Sequence, residues 1–240
     1  MTAKQFRHPF TMVVSGSTGS GKTVWVMHLI DELNMVIENG EKENGSAAIS
    51  SIFYCYGALN ANVMELKRRE TTQISTEAVK DAGDSGSRLR IITHNGLPSE
   101  ERIKEEAQDR RLLLVLDDLM VAAKSPFLDT LFTLGSHNWG VSVVLVTQHL
   151  FGKELRIARN NSHYIILLRN PAGALQIRNI ASQLFPGRVP YFMEAYADAT
   201  EKPFSYLVID MHPKTDEMNR LKTRIFQDNG GYTTIYVPKH

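Results

Sequence analysis

Gly16-Ser-Thr-Gly-Ser-Gly21-Lys22-Thr23 constrains this chain more than any other segment. Two glycines with four residues between them, then Lys and Thr, form a phosphate-binding pattern when a strand leads in and a helix leads out. Both flanks comply. Phe10-Thr-Met-Val-Val-Ser15 is a short apolar run that predicts a strand, and Val24-Trp-Val-Met-His-Leu-Ile30 is apolar over a helix's length. Glycines let backbone N–H groups turn inward, and the helix N-terminus adds partial positive charge. In this arrangement Lys22 reaches the β- and γ-phosphates of a nucleoside triphosphate, and the Thr23 hydroxyl coordinates Mg2+. Gly16, Ser17, Thr18, Gly19, Ser20, Gly21, Lys22 and Thr23 are therefore the candidate binding residues for ATP, with Thr23 also a metal ligand. The plain alternative is a glycine-rich turn with no ligand.

Beyond this loop, strands and helices alternate. Ile49–Tyr56 is rich in β-branched and aromatic residues and predicts a strand; residues 59–80 predict a helix, 81–87 a turn and Leu89–Thr93 a short strand. Helices are expected at Glu100–Arg110, 127–137 and 172–184, and strands at 111–118, Val141–Thr147, Tyr164–Leu168, Ser205–Asp210 and Tyr232–Val237, with a break at Phe185–Pro190. Strands that are apolar throughout, such as Leu112–Leu116, suit a parallel sheet covered on both faces. The expectation is an α/β fold, a P-loop NTPase of the additional-strand type with a mainly parallel sheet sandwiched between helices. One motor domain is expected over residues 1–240, with its core at about 8–226 and a short C-terminal strand extension. A chain of 240 residues is long enough for such a core.

The strand at 111–118 ends in two acids. Asp117 is the expected second metal ligand, because a triphosphate-hydrolysing loop needs an acid on a neighbouring strand to hold the Mg2+ shell. Asp118 falls where the additional-strand class carries the base that polarises the attacking water. Glu is the commoner residue there, so Asp118 departs from the usual form; its plain alternative is a loop or helix cap. Thr147-Gln148 closes another buried run. Open α/β sheets bind ligands at their carboxyl edge. If strand 141–147 lies between the loop strand and the Asp117 strand, Gln148 meets the γ-phosphate or the lytic water.

Composition narrows the setting. With 27 Lys+Arg against 26 Asp+Glu the net charge is +1, which excludes a protein that coats nucleic acid as a lone monomer. A single cysteine, Cys55, allows no intrachain disulfide and suits a reducing compartment. No apolar run approaches the ~18 residues of a membrane span, and the N-terminus lacks a secretory core. Trp25 reads as packing and His149 as a loop residue. The sequons at Asn44 and Asn160 read as coincidence.

Taken in order, the loop, Leu112-Leu-Leu-Val-Leu-Asp-Asp118 and Val143-Val-Leu-Val-Thr-Gln-His149 resemble the FtsK–HerA superfamily of DNA-pumping ATPases. The chain is most similar to the packaging ATPases of eukaryotic DNA viruses and of Maverick/Polinton-type elements. Gly135-Ser-His-Asn-Trp-Gly-Val-Ser142, Ile157-Ala-Arg-Asn-Asn-Ser-His-Tyr-Ile-Ile166 and Tyr206-Leu-Val-Ile-Asp-Met-His-Pro213 add to the likeness, which spans roughly 8–226. The resemblance implies Mg2+-dependent ATP hydrolysis coupled to packaging of double-stranded DNA into a preformed capsid. It implies a homo-oligomeric ring, a pentamer or hexamer, with a capsid or portal-type partner and no membrane. It places the chain in the nucleus or cytoplasm of a host cell at viral assembly sites, or in the virion. An arginine from the adjacent subunit would stabilise the γ-phosphate; Arg159 is the first candidate, Arg156 the second, and Arg220 and Arg224 are unranked. Lys67-Arg68-Arg69, Lys153 and Arg156 are candidates for DNA contact, against the plain reading of solvated helix faces. A ring multiplies a modest patch by its subunit number. Two alternatives stay open: a cellular or plasmid DNA-transfer ATPase, and a nucleotide-switched capsid-assembly protein with little turnover.

Overall fold

The computed structural model describes residues 5–38, 49–77, 89–119, 125–152, 155–226 and 232–238. In chain order, β1 (Phe6–Arg7) and β2 (Thr11–Ser15) lead through the glycine loop into α1 (Lys22–Asp31), then α2 (Leu33–Val36), β3 (Ile37–Glu38) and β4 (Ser51–Tyr56). Helix α3 (Ala61–Glu77), β5 (Arg90–Asn95), α4 (Glu100–Ala107) and β6 (Leu112–Asp117) follow. Next come α5 (Ser125–Thr130), α6 (Ser136–Asn138), β7 (Val141–Thr147), α7 (Arg156–Asn160), β8 (Tyr164–Leu168), α8 (Ala174–Leu184) and α9 (Val189–Ala199). The chain closes with β9 (Tyr206–Asp210), β10 (Leu221–Thr223) and β11 (Thr234–Tyr236).

Nine strands form one sheet in the order β11-β10-β9-β8-β2-β7-β6-β4-β5. From β8 through β5 neighbouring strands run parallel, whereas β9, β10 and β11 add an antiparallel edge. This is the expected α/β fold with a mainly parallel sheet. The continuous apolar runs of β2, β6 and β7 are buried on both faces because alternate side chains serve two cores. Met12, Val14, Leu113, Val115, Val144 and Val146 pack with Val26 and Leu29 of α1 and with Leu66 of α3. On the other face, Val13, Leu114 and Leu145 pack with Ile103 of α4, Ile177 of α8 and Phe192 of α9. At the antiparallel edge, Lys222 Nζ donates to the buried Asp210 Oδ2 at 2.9 Å.

The register positions the site. Strand β7 lies between β2 and β6, and Ser15 of β2 pairs with Thr147 of β7. Gly16 and Gln148 therefore leave adjacent strands side by side at the carboxyl edge. On the other side of β7, Asp117 of β6 pairs with Val146.

Several elements differ from the expectation. The helix expected at 127–137 is divided, with a wider π-helical turn at Leu131–Gly135 between α5 and α6. The break at Phe185–Pro190 is followed directly by α9, which the sequence reading lacks; Pro190 lies in its first turn, where a missing N–H costs nothing. Strand β10 and the parallel pair β1–β3 are also additional, each too short to show a period. The turn expected at 81–87 lies outside the described residues. Among the described residues no helix is long and apolar enough to cross a membrane.

Candidate active site

The loop between β2 and α1 closes on itself. Gly21, with φ of 99°, occupies the left-handed region just ahead of α1, a conformation open to glycine without cost. The Lys22 ammonium turns back and donates to the carbonyls of Gly16 at 3.0 Å and Ser17 at 2.9 Å. Burial lowers the Lys22 pKa, opposed by the negative charges of Asp117 and then Asp118. The Ser17 hydroxyl donates to the Arg169 carbonyl at 3.1 Å, tying the loop to the end of β8.

Thr23 of α1 and Asp117 of β6 lie side by side. The Thr23 hydroxyl donates to Asp117 Oδ2 at 3.2 Å. The same oxygen accepts a 2.6 Å hydrogen bond from the phenol of Tyr54, a buried residue of β4. Burial raises the Asp117 pKa, against the lowering effect of the Tyr54 and Thr23 hydrogen bonds. Burial likewise pushes the Tyr54 phenol well above the usual range, followed by the Asp117 charge and hydrogen bond. A carboxylate and a hydroxyl set side by side, with both of the carboxylate's side-chain partners neutral, fit Mg2+, a hard cation that takes one or two protein oxygens and keeps several waters.

Asp118 follows at the sheet edge, exposed, with φ of 55°. Asp tolerates this left-handed conformation better than the longer acids do. The departure from Glu thus matches the backbone at that position. Gly57, directly after β4, makes room for it: a Cβ on Gly57 would stand 2.3 Å from the Asp118 carbonyl oxygen.

Gln148 reaches the loop, its Oε1 accepting from the Thr18 hydroxyl at 3.0 Å. The condition set by the sequence, a Gln148 strand between the loop strand and the Asp117 strand, is met. His149 belongs to a turn in which its N–H donates to Thr147 Oγ1. Trp25 is buried against Phe6, Tyr206 and Phe226.

The basic candidates behave differently from one another. On α7, Arg159 is anchored within its own chain: Nη1 donates to the Leu150 carbonyl at 2.9 Å and the guanidinium lies 4.5 Å over the Phe151 ring. Burial, then the like charge of Arg156, lowers its pKa. Arg156 is exposed. Within the Lys67-Arg68-Arg69 cluster, Arg68 pairs with Glu65 and Arg69 with Glu65 and Asp31. Lys67 lies 5.2 Å over the Tyr56 ring. Much of that cluster's charge is answered locally. Lys153 lies outside the described residues.

Tyr54 and Gly57 belong to the site although nothing in their neighbourhoods marks them. Tyr54 sits in Ile52-Phe-Tyr-Cys-Tyr56, where each aromatic residue reads equally as core.

A phosphate loop opening a helix, a hydroxyl–carboxylate pair across the sheet and a polar residue on the strand between them define the P-loop NTPase class, whose fold this chain has. No family model and no curated protein matches the sequence. Among solved structures, the chain is similar to the genome packaging NTPase B204 from Sulfolobus turreted icosahedral virus 2. In complex with AMPPCP that protein superposes with a TM-score of 0.52 at 12% identity, covering 97% of this chain and 98% of that one. Its complex with sulfate gives 0.51 at 13% identity over 97% and 98%, and its complex with ATP-gammaS gives 0.50 at 13% over 96% and 98%. At such identities the likeness is one of fold.

Proposed function

We propose that this chain is a Mg2+-dependent ATPase that drives double-stranded DNA into a preformed capsid, working as a homo-oligomeric ring of five or six copies. The observation that carries it is Gln148: it ends the strand between the loop strand and the Asp117 strand and bonds the loop itself. The whole-length fold likeness to a viral genome packaging NTPase supports the choice among P-loop motors.

In this reading Lys22 leaves the Gly16 and Ser17 carbonyls for the phosphates, and the loop N–H groups cradle the β-phosphate. Thr23 and Asp117 would hold Mg2+, which when bound would supply positive charge against the negative charge of the phosphates. Asp118 accepts a proton from water as the water oxygen bonds to the γ-phosphorus and the bond to the β-phosphate oxygen breaks, leaving ADP and phosphate. Gln148 orients that water or the γ-phosphate. Of the two arginines on α7, Arg156 is the better finger for a neighbouring subunit, because it is exposed whereas Arg159 is anchored at home.

The test is ATP turnover of the purified oligomer with and without double-stranded DNA, using Lys22→Ala as the control. Stimulation by DNA that Lys22→Ala abolishes supports the motor. Turnover indifferent to DNA overturns it, and single-turnover hydrolysis no greater than that of Lys22→Ala identifies a nucleotide-switched assembly protein instead.

A further inference from the structure

We infer that the pocket beside Phe204 receives the base and ribose of the nucleotide, and that it holds the base by stacking without reading its edge. The inference rests on the loop of Gly16–Thr23 binding a nucleoside triphosphate, and adds the half of the ligand that the loop does not explain.

The pocket encloses about 570 Å3, a volume typical of small-molecule sites, and its walls include His28, Phe204, Tyr206, Arg224, Phe226 and Tyr236. It adjoins the phosphate loop through Phe204. A Cβ on Gly21 would lie 2.6 Å from Phe204 Cδ1, so the ring rests on the loop glycine just ahead of α1. His28, on α1, carries the pocket along the helix that the loop opens. A triphosphate seated in the loop therefore has this cavity within reach of its nucleoside end.

The backbone supports a binding role. Among the described residues, the non-glycine positions with positive φ are Asp118, Phe204 at 64° and Arg224 at 55°. Asp118 belongs to the catalytic edge; the other two line this pocket. A bulky residue in the left-handed region is a true outlier, and such strain persists where a function uses it. Core packing does not account for it, because Phe204 is 61% exposed. Its free face, supported by the loop glycine, is a platform for a planar ligand, and the guanidinium of Arg224, which also lines the pocket, is a planar cationic surface.

Three of the pocket's hydroxyls indicate how the base is recognised. Thr223 Oγ1 donates to the Tyr206 carbonyl at 2.6 Å, Ser205 Oγ to the Lys202 carbonyl at 2.7 Å and Tyr236 to Asp198 Oδ2 at 2.6 Å. These three donors are committed to the chain's own groups, and the charged side chains on the same walls, Glu201, Lys202 and Arg224, are exposed to water, where a hydrogen bond discriminates weakly. Discrimination between bases by factors of 10⁴ or more, on the order seen where sites hydrogen-bond the distinguishing group, requires donors and acceptors kept for the ligand. Stacking accepts any base, since every base has a π-face.

Equilibrium titration of the full-length chain with Mg·ATP, Mg·GTP and Mg·tripolyphosphate tests this, in the wild type, Phe204→Ala and Phe204→Trp. The expected result is that ATP and GTP bind within a few-fold of each other and that Phe204→Ala weakens both by about tenfold or more. Tripolyphosphate should be unchanged, and Phe204→Trp should restore both nucleotides. Because the side chain is mostly exposed, the variants should keep the wild-type melting temperature; Arg224→Ala, exposed as well, gives an independent variant expected to weaken nucleotide and spare tripolyphosphate. An equal loss for tripolyphosphate, unchanged nucleotide binding in Phe204→Ala, or wild-type preference for one base beyond about a hundredfold would each overturn the pocket. Failure of the wild type to bind either nucleotide or tripolyphosphate would overturn the phosphate-loop reading along with it.

Discussion

The phenol of Tyr54 and the carboxylate of Asp117 share a 2.6 Å hydrogen bond across the β4–β6 pair, on the same Oδ2 that accepts from Thr23. Tyr54→Phe keeps the ring and removes the donor. A hydrogen bond to a charged group contributes roughly 1.5–3 kcal/mol, so the variant should lose stability of that order at neutral pH. Since that bond also holds the Asp117 pKa down, its loss should raise the pKa further and weaken Mg·ATP binding. Thermal unfolding and Mg2+ titration of nucleotide affinity measure the two effects.

Burial raises the Asp117 pKa above the ordinary value of 3.8. The folded chain then holds this proton more tightly than the unfolded chain does. The resulting stabilisation is full below the unfolded value and is lost as pH rises through the folded value. Asp117→Asn should lack this component, so its advantage in apo stability over the wild type grows as pH rises from acid toward neutral. Mg2+ with nucleotide should stabilise the wild type more than the variant. Melting curves across that pH range, with and without Mg·ATP, provide the check.

At Gly57, an added methyl meets backbone, because the Asp118 carbonyl would lie 2.3 Å from the new Cβ. Gly57→Ala should cost about 1–3 kcal/mol of stability and displace Asp118. We expect turnover to fall more than ATP affinity, which steady-state kinetics beside equilibrium binding will show.

The α7 arginines should separate by readout. Arg159→Ala removes the bond to Leu150 and the contact with Phe151, and should lower the melting temperature. Arg156→Ala should leave melting unchanged and lower turnover of the assembled oligomer by about 10³-fold or more, the scale of a trans arginine. If the turnover defect belongs to Arg159 alone, the assignment of the finger reverses.

Thr18 and Gln148 form a further testable pair, with hydroxyl to amide oxygen at 3.0 Å. Gln148→Ala should reduce single-turnover hydrolysis by about tenfold or more while ATP affinity changes little, because a residue that orients water acts in the transition state. Thr18→Val, which removes the same bond from the loop side, should reproduce part of that loss. Single-turnover rates beside binding constants decide it.

The sequence alone determined the features that depend on near neighbours along the chain. Glycine spacing, a Lys-Thr pair at a helix start, uninterrupted apolar strands and the acids at the end of β6 are local patterns, and each implies its structure without knowledge of the rest. Helix α9 escaped because its start coincides with a proline–glycine break, and the π-helical turn before α6 because periodicity alone does not show an extra residue in a turn. Only the tertiary structure decided the strand order β2-β7-β6, which turns Gln148 from a polar residue leaving a strand into a neighbour of the phosphate loop. It alone set Tyr54 on Asp117, opened Gly57 to Asp118 and laid Phe204 on Gly21. Those relationships join residues 61 and 63 positions apart, or as many as 183. Sheet order and side-chain packing create them, and both follow from burying two faces of one sheet at once, which no local window of sequence contains.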